Sequence, residues 1–151
     1  MSALKGLRVV ELGQLLAGPF CGQLLGDMGA EIWKIERPGS GDETRSWGPP
    51  FVQEPDGDVP GISAYFANVN RNKKSIAIDL TKQSGKNLIL ELLKSSDIVI
   101  ENFKTGTMEK WGLGYEDVLK KKFPKLIHCR ISGFGATGPL GGAPGYDAIV
   151  Q

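Results

Sequence analysis

Short apolar runs alternate with amphipathic segments along this chain. Runs of four to six mostly apolar, β-branched residues predict five strands, at 7–12, 31–35, 75–79, 97–101 and 126–131. Apolar residues spaced three or four apart predict helices at about 17–27, from 81 or 84 to 94, at 107–111 and at 115–122. This alternation predicts an α/β fold with a doubly wound, Rossmann-like parallel sheet flanked by helices. Ligands bind such sheets beyond the carboxyl ends of the strands.

Two segments depart from the alternation. Residues 38–62 contain five prolines, five glycines and five acidic residues, which predicts a long irregular loop. At the other end, residues 147–151 have the pattern of a helix that is just beginning. A domain that stops inside an apolar element leaves backbone groups unpaired, so we expect residues 1–151 to be the front part of a longer enzyme.

Composition and charge exclude several classes of protein. The 18 basic and 17 acidic residues give a net charge of +1, which argues against nucleic-acid binding. The chain has only two cysteines, Cys21 and Cys129, and a single histidine, His128, so neither a disulfide framework nor a metal site is expected. No apolar run is long enough to cross a membrane. The first strand begins at Leu7, which leaves no room for a signal peptide, and we expect a cytoplasmic protein.

A glycine-rich segment follows the last strand. Residues 133–138 read GFGATG and match the dinucleotide fingerprint G-x-G-x-x-G. That fingerprint requires a helix to begin there, but Pro139, Gly141, Gly142 and Pro144 follow. The pattern therefore favours a glycine-rich active-site loop over a nicotinamide or flavin site.

Two groups of cations are candidates for binding phosphate. Arg71, Lys73 and Lys74 form a cluster that suits coenzyme phosphates, although a solvated turn is the simpler interpretation. Lys34 and Arg37 lie at the end of the second strand, where an α/β sheet binds ligands. Glu36 next to Arg37 equally fits a surface ion pair that contributes little.

Three further positions have competing interpretations. His128 is most simply a packed or edge histidine, because no second histidine or metal partner is present, and the two cysteines are most simply buried thiols. Asp147 fits either a cap or dipole partner at a helix start or an active-site carboxylate, with Tyr146 as a hydrogen-bond donor. The residues alone leave the two interpretations of Asp147 open.

Eight stretches, in order along the chain, together resemble the family III CoA-transferases (the CaiB/BaiF family). They are LLAGP at 15–19, GDMGAE at 26–31, KIERPGSGD at 34–42, NRNKKSI at 70–76, DIVIENF at 97–103, GLGY at 112–115, SGFG at 132–135 and PGYD at 144–147. The stretch from Arg37 to Lys74 is most similar to transferases of the succinyl-CoA:hydroxymethylglutarate type.

The resemblance implies a fold, an assembly and a binding site. The chain would be the N-terminal part of the large domain, without the small domain, in a homodimer of interlocked chains. The implied partners are an acyl-CoA and a carboxylic acid, with no permanently bound cofactor. The residues implied to contact CoA or its thioester are Leu16, Ala17, Arg37, Ile78, Asp79, Leu80, Thr81, Asn102, Phe103, Lys104, Lys110, Pro144, Gly145, Tyr146 and Asp147. Lys110 stands where some members have arginine, which keeps the charge but loses a bidentate contact.

The resemblance also implies covalent chemistry. An aspartate carboxylate attacks the thioester to give a mixed anhydride and CoA thiolate, and the thiolate then forms an enzyme thioester from which CoA passes to the acceptor. That aspartate would lie beyond Gln151, so no catalytic residue is expected in this chain, and the chain alone would be inactive. Related racemases carry an acid/base histidine at the position of Tyr146, and a tyrosine phenol, with a usual pKa of about 10, is a poor base. Tyr146 therefore favours a transferase over an acyl-CoA racemase. The racemase and a catalytically inactive CoA-binding protein stay the alternatives.

Overall fold

The structure is a computed structural model that describes residues 2–52 and 61–151. Within these residues, five parallel strands form one sheet in the order β3-β2-β1-β4-β5. The strands are β1 Arg8–Glu11, β2 Glu31–Glu36, β3 Lys73–Ala77, β4 Ile98–Glu101 and β5 Ile127–Arg130. The predicted Rossmann-like parallel sheet is confirmed. The strand order reverses between β1 and β4, and this is where such sheets bind ligands.

Helices cover both faces of the sheet. They are α1 Ala17–Asp27, α2 Ala64–Asn70, α3 Gln83–Leu93, α4 Thr107–Lys110, α5 Lys120–Lys122 and α6 Asp147–Val150. A 3-10 turn spans Glu43–Ser46, and a π-helical turn spans Tyr115–Leu119 and leads into α5. No helix in the described residues is both long and apolar enough to span a membrane.

The core lies on the two faces of the sheet, as the period of a buried strand requires. Val9 and Ile100 pack on one face with residues of α1, whereas Val10 and Val99 pack on the other with Ile89 of α3 and its neighbours. Neighbouring strand residues point to opposite faces, so strands covered on both sides consist of continuous apolar runs.

The structure differs from the prediction in the bounds of β3 and in the helix that precedes it. β3 begins two residues early, because Lys73 already pairs with Ile32 of β2, and it ends at Ala77. The helix α2 was not predicted. Ser63 caps it by accepting a hydrogen bond from the Phe66 amide at 3.0 Å. The predicted irregular loop at 38–62 contains the 3-10 turn, and its residues 53–60 lie outside the described part of the chain.

Candidate functional site

The carboxyl ends of the parallel strands bring most of the predicted site residues to one edge of the sheet. Arg37 follows β2, Ile78–Thr81 follow β3 and Asn102–Lys104 follow β4, while Leu16 and Ala17 form the junction between β1 and α1. Two groups are less central. Ile78–Thr81 lie beyond an outer strand, and Lys110 is the last residue of α4.

The turn from Gly13 to Leu16, here the β1–α1 turn, lies at the point where the strand order reverses. Its backbone is bound to Asn102 by two reciprocal hydrogen bonds. The Gln14 amide donates to Asn102 Oδ1 at 2.8 Å, and Asn102 Nδ2 donates to the Gln14 carbonyl at 2.8 Å. A Cβ on Gly18 would lie 2.9 Å from the Gly13 Cα and 3.0 Å from Asn102 Oδ1, so only glycine fits. The predicted ligand residue Asn102 therefore uses its side chain to hold β1 and β4 together.

Three neighbouring strands end in buried glutamates, Glu11, Glu36 and Glu101, and sequence reasoning missed their role. They are 0%, 4% and 1% exposed. A buried carboxylate requires a cation or several hydrogen bonds, because leaving it unpaired is very costly. Each glutamate ends its strand as the last residue after an apolar one, in VVE, KIE and VIE. This repeated ending was the signal that could have revealed them.

Glu11 lies between two lysines. Lys34 Nζ contacts Glu11 Oε1 at 3.0 Å and Lys73 Nζ contacts Glu11 Oε2 at 2.8 Å. Lys73 also donates to the Pro19 carbonyl at 2.7 Å and to Asn70 at 2.9 Å. Burial lowers the pKa of Lys73 to about 8, although Glu11 opposes that shift. The Lys73 side chain therefore stabilises the first turn of α1 through its bond to the Pro19 carbonyl.

The structure corrects the prediction that Glu36 forms a surface ion pair with Arg37. Its carboxylate is buried and pairs with Arg45, at 2.7 Å to both Nε and Nη2, rather than forming a surface pair with Arg37. Burial by itself would raise the pKa of Glu36, but hydrogen bonds from Arg45, Ser75 and the Asp42 amide lower it to about 2. Glu36 thus anchors the loop that follows β2.

Glu101 has the same role after β4. It accepts a hydrogen bond from the Phe103 amide at 2.8 Å and pairs with Arg130. Burial opposes ionisation, yet the nearby His128 ring, Arg130 and the Phe103 amide keep the pKa of Glu101 below its usual value. These contacts fix the direction in which the segment 102–104 leaves the sheet.

The predicted site cations, Arg37, Lys104 and Lys110, here the loop cations, are exposed. Arg37 Nη2 donates to Gln14 Oε1 at 3.0 Å, and its carboxylate contact, to Glu43, is long at 3.9 Å. Within the described residues no carboxylate lies within 4 Å of the ammonium groups of Lys104 and Lys110.

The other candidate phosphate group, Arg71, Lys73 and Lys74, here the β3 cations, is paired within the chain. Arg71 contacts Asp27 at 2.6 Å, Lys73 contacts Glu11 at 2.8 Å, and Lys74 contacts Glu31. Lys73 and Lys74 belong to strand β3, and the Lys73 side chain is only 2% exposed, so the interpretation as a solvated turn holds only for Arg71.

The segment 131–146 is the predicted glycine-rich loop, and no helix begins at the G-x-G-x-x-G stretch. The Gly142 amide donates to the Gly135 carbonyl at 2.9 Å, and the Gly135 amide donates to Ser132 Oγ at 3.0 Å. A Cβ on Gly133 would lie 2.4 Å from the Gly145 Cα, so the two ends of the loop touch. This contact returns Pro144–Tyr146 to the carboxyl end of β5.

The last predicted site residues follow this loop. Tyr146 is 67% exposed, and Asp147 is the first residue of α6. Both interpretations of Asp147, as a helix-start residue and as a pocket carboxylate, stay predictions.

Asp79, beyond β3, is engaged in a local turn. Its Oδ1 accepts hydrogen bonds from the Thr81 amide at 3.0 Å and from the Thr81 hydroxyl at 2.6 Å. These bonds lower the pKa of the Asp79 carboxyl. The Asp79 side chain therefore fixes the backbone turn that leads to Thr81.

His128 is a packed residue, as predicted, whereas the two cysteines, predicted as buried thiols, are only half-buried. His128 stacks on Tyr115 with ring centres 5.0 Å apart, and its side chain is 7% exposed. Cys21 and Cys129 are half-buried beside each other, and burial, with the Cys129 thiol, raises the pKa of Cys21 to about 11. A thiol with so high a pKa is a weak nucleophile near neutral pH. Residues 2–52 and 61–151 contain no cluster of three or more potential metal ligands.

Comparison with known proteins agrees with the fold. The family described as CoA-transferase family III matches residues 4–151. The chain is 51% identical to the succinate–glutarate CoA-transferase of Agrobacterium fabrum, over 98% of this chain and 36% of that protein. It is 48% identical to the succinyl-CoA:glutarate CoA-transferase of Mus musculus, over 100% of this chain and 33% of that protein.

Among solved structures, a CaiB/BaiF family protein from Brucella suis superposes with a TM-score of 0.91 at 47% identity. The match covers 99% of this chain and 38% of that one. The chain therefore spans between a third and two fifths of the length of these relatives.

Proposed function

Because the chain belongs to CoA-transferase family III, we propose that it forms the acyl-CoA-binding part of an enzyme that moves CoA from succinyl-CoA to a carboxylic acid. The observation that carries the proposal is the exposure of the loop cations, of which Arg37 contacts Gln14 of the β1–α1 turn at the ligand-binding edge of the sheet. The names of the two CoA-transferase relatives support succinate and a second dicarboxylic acid as the substrate pair.

Charge and exposure support the loop cations as ligands for the phosphate groups of CoA. A guanidinium binds phosphate through paired N–H donors, and Arg37 is 58% exposed with only a long carboxylate contact. The two loop lysines add charge without a fixed geometry. The β3 cations do not suit this role, because each already has a carboxylate partner.

The glycine-rich loop and the β1–α1 turn would surround the thioester end of the substrate. Leu16 is 48% exposed there, so an apolar surface is available to the acyl or pantetheine chain. Backbone amides of glycine-rich loops can stabilise an oxyanion as it develops on the thioester carbonyl.

The covalent steps would need an aspartate that we place outside residues 1–151. Its carboxylate would attack the thioester carbonyl and expel CoA thiolate, which gives a mixed anhydride. The thiolate would then attack the aspartyl carbonyl of that anhydride, forming the enzyme thioester and releasing the donor acid as its carboxylate. We expect the 151-residue chain to bind CoA but to catalyse no transfer. Turnover of succinyl-CoA by the purified chain would overturn that expectation.

A racemase is the second candidate, and Tyr146 argues against it. Racemisation requires a base that removes the proton next to the thioester carbonyl, and related racemases have histidine there.

A homodimer and a cytoplasmic location complete the proposal, and sedimentation of the purified protein tests the dimer.

The test is a calorimetric titration of the chain with CoA. Loss of a charge-assisted contact in Arg37→Ala should weaken binding about tenfold or more. The matched control is Arg71→Ala, which removes another surface arginine, 49% exposed against 58% for Arg37, but one that is already paired with Asp27. Equal effects of the two substitutions, or no binding by the folded wild-type chain, would contradict the proposed site.

A further inference from the structure

The β1–α1 turn contains a backbone conformation that its own sequence does not favour. Leu15 has a φ of +64°, in the left-handed region that residues other than glycine rarely adopt. Such a conformation costs free energy and persists only where the surroundings hold it. The Leu15 amide donates to Asp42 Oδ2 at 3.2 Å, so the holding contact comes from the loop after β2.

Asp42 is held by hydrogen bonds at both carboxylate oxygens and at its backbone amide. It is 1% exposed, and its other carboxylate oxygen accepts from the Thr44 amide at 3.0 Å and from the Thr44 hydroxyl at 2.7 Å. Its backbone amide donates to Glu36 at 2.9 Å. Asp42 Oδ2 therefore has little freedom to move away from the turn.

Lys34 completes the contact to the turn. Its buried ammonium group has three oxygen partners, Glu11 at 3.0 Å, Asp42 at 3.0 Å and the Gly13 carbonyl at 3.1 Å. The contacts with Glu11 and with the Gly13 carbonyl are hydrogen bonds, and the contact with Asp42 is an ion pair, so the three partners together hold the ammonium group in place. The single Lys34–Asp42 pair thus contacts the turn twice, at Gly13 and at Leu15.

We propose that Asp42 and Lys34 are positioning residues that hold the β1–α1 turn in the shape that presents Leu16 and Ala17 to the acyl-CoA. Replacing a buried ion pair by apolar residues of equal volume is often neutral or stabilising, so the role that we assign to this pair is to fix geometry. The same pair connects the turn to the loop that begins with Arg37, whose guanidinium also contacts Gln14. The ligand role of the turn rests on the proposed function.

The test compares Asp42→Asn with Asp97→Asn, a control at the opposite edge of the sheet whose side chain is exposed. Asp97 Oδ2 accepts from the Arg8 amide at 2.8 Å, so both substitutions weaken a carboxylate bond to a backbone amide. Asparagine has one acceptor oxygen and cannot serve both Thr44 and the Lys34–Leu15 side. We expect Asp42→Asn to speed hydrogen exchange of the residue 15 amide about tenfold and to weaken CoA binding about fivefold. Asp97→Asn should change neither.

A rescue variant separates positioning from general destabilisation. Leu15→Gly removes the cost of a positive φ, so Asp42→Asn should weaken CoA binding by less than about twofold in that background. An undiminished loss there would overturn the proposal, as would an Asp42→Asn protein whose exchange and affinity match those of Asp97→Asn.

A gentler pair covers the case in which Asp42→Asn does not fold. Thr44→Val removes one hydroxyl bond to Asp42, and Ser75→Ala removes one hydroxyl bond to Glu36, at 2.6 Å. Only Thr44→Val should speed exchange at residue 15, and equal exchange in both variants overturns the proposal. If the wild-type chain does not bind CoA, the proposed function fails while the exchange comparison still decides whether the turn is held by Asp42.

Discussion

The β3 cations and the loop cations carry the same charged groups, but only the β3 cations have close carboxylate partners within the described part of the chain. Arg71, Lys73 and Lys74 are three cations within four positions, and each one contacts a carboxylate of the same chain at 2.8 Å or less. The loop cations are scattered along the sequence, and Arg37 reaches its carboxylate only at 3.9 Å. The cations that cluster in the sequence are thus the less available ones, because carboxylates distant in the sequence decide which cations remain for a ligand.

Within the β3 cations, burial differs sharply between neighbours. The Lys73 side chain is 2% exposed and lies under α1, whereas the Lys74 side chain is 69% exposed and pairs with Glu31 at the surface. Successive strand residues point to opposite faces, so one lysine enters the core while the other stays in water. Their energetic roles should differ accordingly.

The largest predicted effect follows from this difference. Lys73→Met leaves one side of the buried Glu11 carboxylate without its cation, which should lower the free energy of unfolding by about 3–5 kcal/mol. Lys74→Met removes a surface pair and should lower it by less than about 1 kcal/mol. Urea denaturation of both variants measures the two values. Similar losses in the two variants would show that the burial of Lys73 is not what matters.

A smaller effect, on pH dependence, compares a buried carboxylate with one at the surface. The pKa of Glu36 is lowered from its usual value near 4.5 to about 2. Its contribution to stability is therefore complete above about pH 4.5 and is lost as pH falls towards 2, by up to about 3 kcal/mol. Glu36→Gln should flatten the fall in the free energy of unfolding across that window.

Glu31 is the matched surface carboxylate for the same experiment. Hydrogen bonds from Lys74, Trp33 and Arg8 also lower its pKa to about 2. Because salt screens surface charges more than buried ones, high salt should weaken the contribution of Glu31 and leave that of Glu36. A Glu36 contribution that salt abolishes would contradict its buried pairing with Arg45.

The sheet could be predicted from the sequence because its strands are continuous apolar runs. All five strands and the longer helices α1 and α3 were found within about two residues of their true ends. The helix α2 was missed, although Ser63 three residues before Phe66 fits a helix cap. The helix α2 has only seven residues, so its apolar pattern does not stand out after the glycines and prolines that precede it.

The site was only partly predictable, because its contacts join residues distant in sequence. The glycine-rich loop followed from Pro139 and Pro144, which prevent a helix. The bond between Leu15 and Asp42 spans 27 residues, and the bonds between Gln14 and Asn102 span 88. Local patterns do not show such partners. The unusual φ of Leu15 was equally hidden, since leucine gives no local signal for it.

The most direct experiment is a titration of the isotope-labelled chain with CoA, followed by its backbone amide resonances. We expect shifts at the carboxyl edge of the sheet, in residues 14–17, 37, 78–81, 102–105 and 133–146, and at Lys110. We expect none at the amino edge, at Arg8, Asp97 and the surface members of the β3 cations. Shifts confined to the amino edge, or none at all in a folded chain, would contradict the proposed site.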